Sequence, residues 1–227
     1  SNGCSKTDTV RVVVNPIPKL SSVKNISASC TGLVSYTPTS SISPIATTFS
    51  WSRPAVAGIS NGSAAGSNSI SESLINTTTS PLIVPYFYTL TANGCSFIDT
   101  IFATVNPTAS INSPKFPTAI CSGQSFNYKA TSATSGVVFG WKRIDTSGIT
   151  PTAIVPFTPS DTISEVLTNS NTFITRARYV ISLTFGGCTR FDTVFVYVNP
   201  RPRFNPTPTL KNICNNAVYA DTMRSLT

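Results

Sequence analysis

Six cysteines and no histidine bound the chemistry open to this chain. The thiols fall at Cys4, Cys30, Cys95, Cys121, Cys188 and Cys214, and no pair of them shows a CxxC or CxH spacing. Metal binding is therefore the weaker reading, and without imidazole neither a Ser-His-Asp nor a Cys-His arrangement can be assembled. Disulfides formed in an oxidising compartment are the expected use of the thiols, and six cysteines allow fifteen pairings. Acid catalysis fares no better. A glycosidase needs two carboxylates at a set separation, yet the only glutamates are Glu72 and Glu165. Of six aspartates, five (Asp8, Asp99, Asp161, Asp192 and Asp221) precede a threonine and then an apolar residue, while Asp145 is followed by Thr-Ser. Isolated acids leave no carboxylate cluster for calcium, and no glycine-rich phosphate loop follows a strand. The reading is of a chain with no catalytic site, no metal and no cofactor.

The positions of these residues carry more information than their types. "NGCSKTDTVRVVVNP" from Asn2 returns as "NGCSFIDTIFATVNP" from Asn93 and as "GGCTRFDTVFVYVNP" from Gly186. Cys4, Cys95 and Cys188 lie 91 and 93 residues apart, as do Asp8, Asp99 and Asp192, and a second series, Cys30, Cys121 and Cys214, keeps the same two intervals. "FSW" at 49–51 returns as "FGW" at 139–141, and "ISESLIN" from Ile70 returns as "ISEVLTN" from Ile163. Recurrence in register marks a tandem array. Residues 17–107 and 108–200 are two whole repeats, 1–16 the last strand of a preceding one, and 201–227 the start of a following one. With no initiator Met, signal peptide or stop-transfer segment, the chain is expected to be an internal piece of a longer protein.

Charged residues make up 11% of the chain, against about 25% in an ordinary soluble domain. No window carries a capped helical period, whereas two-residue alternation is frequent. "SFNYKA" alternates Phe126 and Tyr128, "VVFGWKR" alternates Phe139 and Trp141, and "ARYVISLTF" alternates Tyr179, Ile181 and Leu183. "FDTVFVYVNP" places Val194, Val196 and Val198 on one face, with Phe195 and Tyr197 on the other. Seven or so short strands in about 90 residues, the third bearing an aromatic and a tryptophan, predict an all-β, immunoglobulin-like β-sandwich repeated head to tail. About 90 residues suffice to bury a core alone. The "VNPIP", "VNPTA" and "VNPRP" joints end each last strand and stiffen the connection.

The combination of "ICSGQSF", an FxW strand, "ISE-x-L-x-N" and "NGC-x4-DT-x5-VNP" resembles the PKD-like, immunoglobulin-like repeats of giant Bacteroidota surface proteins, including SprB-type gliding-motility adhesins. The resemblance covers the whole chain. It implies a segment of a cell-surface or secreted adhesin exported by the type IX system, without naming a ligand.

In such a sandwich the A-B turn and the F-G turn stand at opposite poles. A strand of about eight residues separates them by roughly 26 Å, while a disulfide needs Cα atoms within about 7 Å. The within-repeat pairs Cys30 with Cys95 and Cys121 with Cys188 are thus in difficulty. A head-to-tail array favours Cys30 with Cys188, leaving Cys4, Cys95, Cys121 and Cys214 to partners in neighbouring repeats. Cys95 with Cys121 is a third option.

The Asp-Thr triplets have two readings. Asp8, Asp99 and Asp192 can fold back on the F-G turn by Asx-type hydrogen bonds. Alternatively, Asp-Thr-aliphatic resembles the O-glycosylation sequon of secreted Bacteroidota proteins, making Thr9, Thr100, Thr162, Thr193 and Thr222 candidate glycan sites. N-x-S/T triplets at Asn25, Asn61 and Asn76 weigh little in so hydroxyl-rich a chain.

Trp51 and Trp141 occupy the strand where sandwiches keep a core tryptophan. Exposed, they would instead form a carbohydrate platform, and Tyr86, Phe87 and Tyr88 form a lesser candidate run. The net charge of +8 is scattered, with "RARY" at 176–179 and "NPRPRF" at 199–204 locally basic but not interleaved with aromatics along the chain. This argues against nucleic acid and leaves salt-sensitive attraction to acidic polysaccharide. The function expected is a non-catalytic, extracellular stalk segment that extends and stiffens an adhesin or filament. Its partners are neighbouring repeats of the same chain and surface polysaccharide, with no membrane insertion. The alternative is a carbohydrate-binding module.

Overall fold

The structure is a computed structural model that describes residues 3–30, 32–144, 146–153, 156–203, 215–216 and 218. The chain divides into two compact units, Ser1–Pro107 and Thr108–Thr227. Both are all-β sandwiches, with no helix among the described residues.

The first unit holds β1 (Asn25–Ser27), β2 (Leu33–Tyr36), β3 (Thr48–Arg53), β4 (Ala64–Ser67), β5 (Ile70–Ser73), β6 (Leu82–Ala92) and β7 (Cys95–Val105). One sheet has the order β1-β7-β6-β3-β4 and the other pairs β2 with β5. The second unit holds β8 (Ile120–Cys121), β9 (Gln124–Lys129), β10 (Val138–Ile144), β11 (Ile149–Thr150), β12 (Thr162–Asn169), β13 (Thr175–Phe185) and β14 (Cys188–Asn199). Its sheets run β10-β13-β14-β8 and β11-β12-β9. In each unit the first strand lies parallel to the last, β1 on β7 and β8 on β14, while the long hairpins β6-β7 and β13-β14 are antiparallel.

Turn chemistry fixes the hairpins. Ala92 faces Cys95 across Asn93-Gly94, and both turn residues have positive φ, 48° and 77°. Phe185 faces Cys188 across Gly186-Gly187, at 56° and 78°. Two consecutive positive φ values make the type I′ turn that matches strand twist, which is why Asn-Gly and Gly-Gly recur immediately before a cysteine.

The alternation read from the sequence sets the cores. Tyr86, Tyr88 and Leu90 on β6 and Ile101, Ala103 and Val105 on β7 point inward onto Val34, Tyr36, Ile70 and Leu74. In the second unit Tyr179, Ile181 and Leu183 with Val194, Val196 and Val198 pack on Phe126, Tyr128, Ile163 and Leu167. Each aliphatic side chain so buried contributes about 1.5–3 kcal/mol. Phe87 and Tyr197, of opposite parity, remain 41% and 40% exposed.

Residues 4–19, expected to include a last strand, carry no strand, and Val10, Val12, Val13 and Val14 are 78–87% exposed. Val10, Val12 and Val14 fall at a strand's two-residue spacing but join no ladder within the described residues. Of 201–227, only 201–203, 215–216 and 218 lie inside the described residues.

Candidate functional site

The recurring "ISE-x-L-x-N" motif becomes intelligible once its alternate residues are followed inward. Ile70, Glu72, Leu74 and Asn76, and their counterparts Ile163, Glu165, Leu167 and Asn169, share one face of their strand, with Ile, Leu and Asn buried in both units. The glutamate closes an ion pair. Glu72 Oε2 accepts from Arg53 Nε at 3.0 Å and from the Tyr86 hydroxyl at 2.8 Å, and Oε1 accepts from Arg53 Nη2 at 3.2 Å. Glu165 Oε2 accepts from Arg143 Nε at 3.1 Å and from the Tyr179 hydroxyl at 2.6 Å. Arg53 and Arg143 are 2% and 0% exposed.

The remaining guanidinium nitrogens differ between units. Arg53 Nη2 donates to Gly62 O at 2.7 Å and Nη1 to Pro54 O at 3.2 Å. Arg143 Nη2 donates to the Pro151 carbonyl and, at 3.0 Å, to that of Thr152, while its buried Nη1 has no partner among the described residues. Burial, together with the neighbouring glutamate as acceptor, raises the Tyr86 and Tyr179 hydroxyl pKa values well above the ordinary tyrosine value.

Each module's only glutamate is therefore occupied as a structural acceptor. A depression of about 540 Å³ beside Arg53, lined also by Ser52, Pro54, Ala64, Ala65 and Phe87, contains no carboxylate. The motif's asparagine is equally committed. Asn76 Nδ2 donates to Ser80 O and Val105 O, both at 2.8 Å, and its Oδ1 accepts from Thr78 N at 2.9 Å. Asn169 repeats this with Phe173 O and Val198 O at 2.8 Å and Asn171 N at 2.9 Å. The side chain pins the end of the last strand to the bend before the penultimate one.

The Asp-Thr aspartates act differently from the Asx-turn expectation. Asp99 reaches away from the hairpin turn to the entry segment, where Oδ2 accepts from Leu20 N at 3.2 Å and Oδ1 from Lys24 Nζ at 2.7 Å. Its Oδ1 also accepts from Thr100 N at 3.0 Å. Asp192 accepts from Lys115 Nζ at 2.7 Å and from Thr193 N at 2.9 Å, and the Ile111 backbone amide also favours its charged form. Burial pushes both carboxyls up, but the ammonium and the backbone donors outweigh it and hold both below the ordinary value. This clamp ties the first segment of a module to its last strand. Its partners were open to discovery in register, since Leu20 and Ile111, and Lys24 and Lys115, are each 91 residues apart.

The candidate glycan threonines occupy unlike places. Thr9 is exposed. Thr162 is exposed at the start of β12, with its hydroxyl donating to Asp161 Oδ1 at 2.9 Å. Thr100 and Thr193 are half-buried within the long last strands, and Thr222 lies outside the described residues. Of the N-x-S/T asparagines, Asn76 is buried, and Asn61 holds Ser73 O and Ile75 N through its amide.

Cys30 and Cys188 are each disulfide-bonded, whereas Cys4, Cys95 and Cys121 are free thiols, and Cys214 lies outside the described residues. Neither within-module pair is in reach. Cys188 opens the 12-residue β14, and Cys121 lies beside Asn199 at its far end, a separation of roughly 36 Å. In the first unit Cys95 opens β7, and Ser27, three residues before Cys30, pairs near its far end with Thr104.

Trp141 is 5% exposed, and its indole N–H donates to Thr162 O at 3.0 Å. Trp51 is half-buried, with its ring edge-on to Tyr86 and lying on Gly66, where a Cβ would come within 2.7 Å of the indole. The Trp51 indole nitrogen is buried without an acceptor among the described residues. Neither ring is a free platform. Among the described residues no group of three potential metal ligands occurs, and no helix is long and apolar enough to cross a membrane.

Residues 118–202 match the family described as PKD-like domain. No curated protein matches the chain. Solved structures similar to it include the insect immune protein hemolin (14% identity, 85% of this chain and 49% of that one, TM-score 0.38) and EC1-4 of Drosophila N-cadherin (10%, 82% and 50%, TM-score 0.37). EC1-2 of human protocadherin-24 is similar at 9% identity, over 82% of this chain and 98% of that one, with TM-score 0.42. The chain spans about half the length of the hemolin and N-cadherin chains. The chain is all-β among the described residues, and its stretch 118–202 is similar to the PKD-like domain.

Proposed function

We propose that this chain is a non-catalytic stalk segment of a large, repetitive, extracellular adhesin or filament, built from PKD-like modules joined head to tail. The observation that carries the reading is the fate of the reactive side chains. Glu72 and Glu165, the only glutamates, are each locked between a buried arginine and a tyrosine, and Asp99 and Asp192 each hold an entry segment. Side chains that elsewhere perform acid-base chemistry here hold strands together. A cell-surface location, type IX export and a gliding-motility parent belong to the same proposal and rest on the sequence resemblance.

The proposal includes a Cys30–Cys188 disulfide that links consecutive modules, and glycans on the exposed Asp-Thr sites, foremost Thr162. It is supported by the bonded state of Cys30 and Cys188 beside three free thiols. The carbohydrate-module alternative is weakened by the packing of Trp141 and Trp51. Non-reducing peptide mapping by mass spectrometry of the native protein tests both features. A cross-linked Cys30–Cys188 peptide and a hexose-bearing Thr162 peptide are expected. Cys30 joined to Cys95, or Cys121 to Cys188, would overturn the linked-module reading, and bare threonines would remove the glycan part.

A further inference from the structure

The two modules share a fold but not a surface. Five cations and three acids fall in residues 1–107, and eleven cations and five acids in 108–227, so the net charge of +8 divides as +2 and +6. The excess is organised by strand pairing. On the outer face of the second module's larger sheet, Arg176 pairs with Tyr197, Arg178 with Phe195, and Lys142 with Val180. The cations and aromatics that are separate along the chain are thus interleaved across β10, β13 and β14, which corrects the linear reading of "RARY". Their counterparts in the first module are Ile83, Pro85 and Ser52, all uncharged.

The cations of this face are positioned but have no acidic partner among the described residues. The Arg176 guanidinium stands 4.3 Å over the Phe195 ring, and the Lys142 ammonium 4.8 Å over that of Phe157. Among the described residues no carboxylate pairs with Arg176, Arg178 or Lys142, since Asp161, Glu165 and Asp192 are engaged with Lys129, Arg143 and Lys115. Aromatic support restrains long side chains that would otherwise lose entropy on binding. Arg176 and Arg178 lie two residues apart on one strand, about 7 Å, and Lys142 is a similar diagonal step away. Guanidinium groups in a row suit carboxylates, which they grip with two parallel hydrogen bonds.

We infer that the outer β10-β13-β14 face is a binding surface for a carboxylated, uronate-type polysaccharide, with Arg176, Arg178 and Lys142 as its anion contacts. Charge complementarity and the state of the rings decide the occupant. Phe195 is flanked by Phe116, stacked at 5.6 Å, and by the Arg176 guanidinium, so it offers no open face on which a base could stack, as single-stranded nucleic acid requires. Phe116, 63% exposed, and Tyr197 supply apolar ring surface to the hydrogens of a sugar face. The surface adds binding to a stalk and does not depend on the disulfide or glycan proposals.

Affinity electrophoresis of the full chain in gels containing polygalacturonate, neutral dextran or no polymer tests this, with oligo-dT binding measured in parallel. Retardation by polygalacturonate alone is expected, weakening by about ten-fold or more between low salt and several hundred millimolar, as contacts between exposed charges are screened. Arg176→Gln/Arg178→Gln and, separately, Lys142→Gln should each weaken retardation several-fold with an unchanged melting temperature. Lys6→Gln/Arg11→Gln, in the other unit, should bind as wild type. The inference is overturned if wild type is not retarded, if the face variants bind as tightly as wild type, if Lys6→Gln/Arg11→Gln loses as much, or if oligo-dT binds more tightly than polygalacturonate.

Discussion

The two modules solve the same problem with different tolerances. In the first, the Arg53 guanidinium is satisfied on every nitrogen by Glu72, Gly62 and Pro54, but the indole of Trp51 is half-buried and lacks an acceptor among the described residues. The second reverses this: Trp141 is buried and bonded to Thr162, while Arg143 keeps a buried nitrogen without a partner among the described residues. The edge strands shift in step. In the first module β4 zips onto β3 over four residues, and the contact of Ile59 with Asn76 is one isolated bridge. In the second, β11 pairs with β12 at Ile149 and Asn169, and Trp141 meets Thr158 by one bridge. The polypeptide between the third strand and the ISE strand can therefore attach to either sheet, provided the Arg-Glu-Tyr group and the asparagine pin stay in place. Those invariants of the pair define the module, and the edge is where it varies.

The sharpest test of this contrast is removal of the glutamates. Leaving a buried guanidinium without its counter-ion costs about 3–5 kcal/mol. Glu165→Ala should cost more than Glu72→Ala, because Glu165 is the more buried acceptor (side-chain exposure 6% against 19%) and both backbone acceptors of Arg143 sit on one nitrogen, Nη2, whereas those of Arg53 are shared between Nη1 and Nη2. Denaturant unfolding read by fluorescence in Trp51→Phe and Trp141→Phe backgrounds assigns each transition to its module. Equal losses would break the comparison.

Where the modules agree, they should respond alike. Asn76→Ala and Asn169→Ala each leave one strand-end and one bend carbonyl without their donor, and each should destabilise its own module by about 1–3 kcal/mol. A difference beyond about 1 kcal/mol would show that the pins are not equivalent.

A smaller effect follows from the aspartate clamps. Their folded-state pKa values lie below the ordinary carboxylate value, so their contribution is fully present above that ordinary value. It is lost as pH falls through it toward the lower folded-state value. Asp99→Asn and Asp192→Asn should each flatten the acid limb of the stability-pH curve by about 1–2 kcal/mol. An unchanged slope would mean that Lys24 and Lys115 stabilise nothing.

The smallest effect is optical: acrylamide should quench Trp51 and leave Trp141 nearly untouched. Equal quenching would remove the difference in burial.

Much of this was legible along the chain because it is periodic. The alternation of Tyr179, Ile181 and Leu183, the Asn-Gly and Gly-Gly turns, and the recurring motifs report local geometry, which sequence spacing preserves. The polar contacts were not legible in the same way. Arg53 is 19 residues from Glu72, and Lys24 is 75 from Asp99, and nothing local states that a lone glutamate points inward. Only its place in I-x-E-x-L-x-N, at the parity of two core residues, gave a clue. The interleaving of Arg178 with Phe195 is likewise created by strand pairing and has no linear trace. Val10 to Val14 show the converse, a strand-like pattern without a partner to realise it.

The parallel contact between first and last strands has a mechanical consequence. The chain enters the first module near Leu20, bonded to Asp99, and leaves it beyond Val105, at the far end of β7. Tension applied at these two points pulls β1 and β7 past one another along their length. The ladder from Asn25 with Phe102 to Ser27 with Thr104, and the Lys24–Asp99 pair beside it, are loaded together in shear rather than peeled one bond at a time. Such a module should yield abruptly and at high force, and Asp99→Asn should lower that force before it alters the fold.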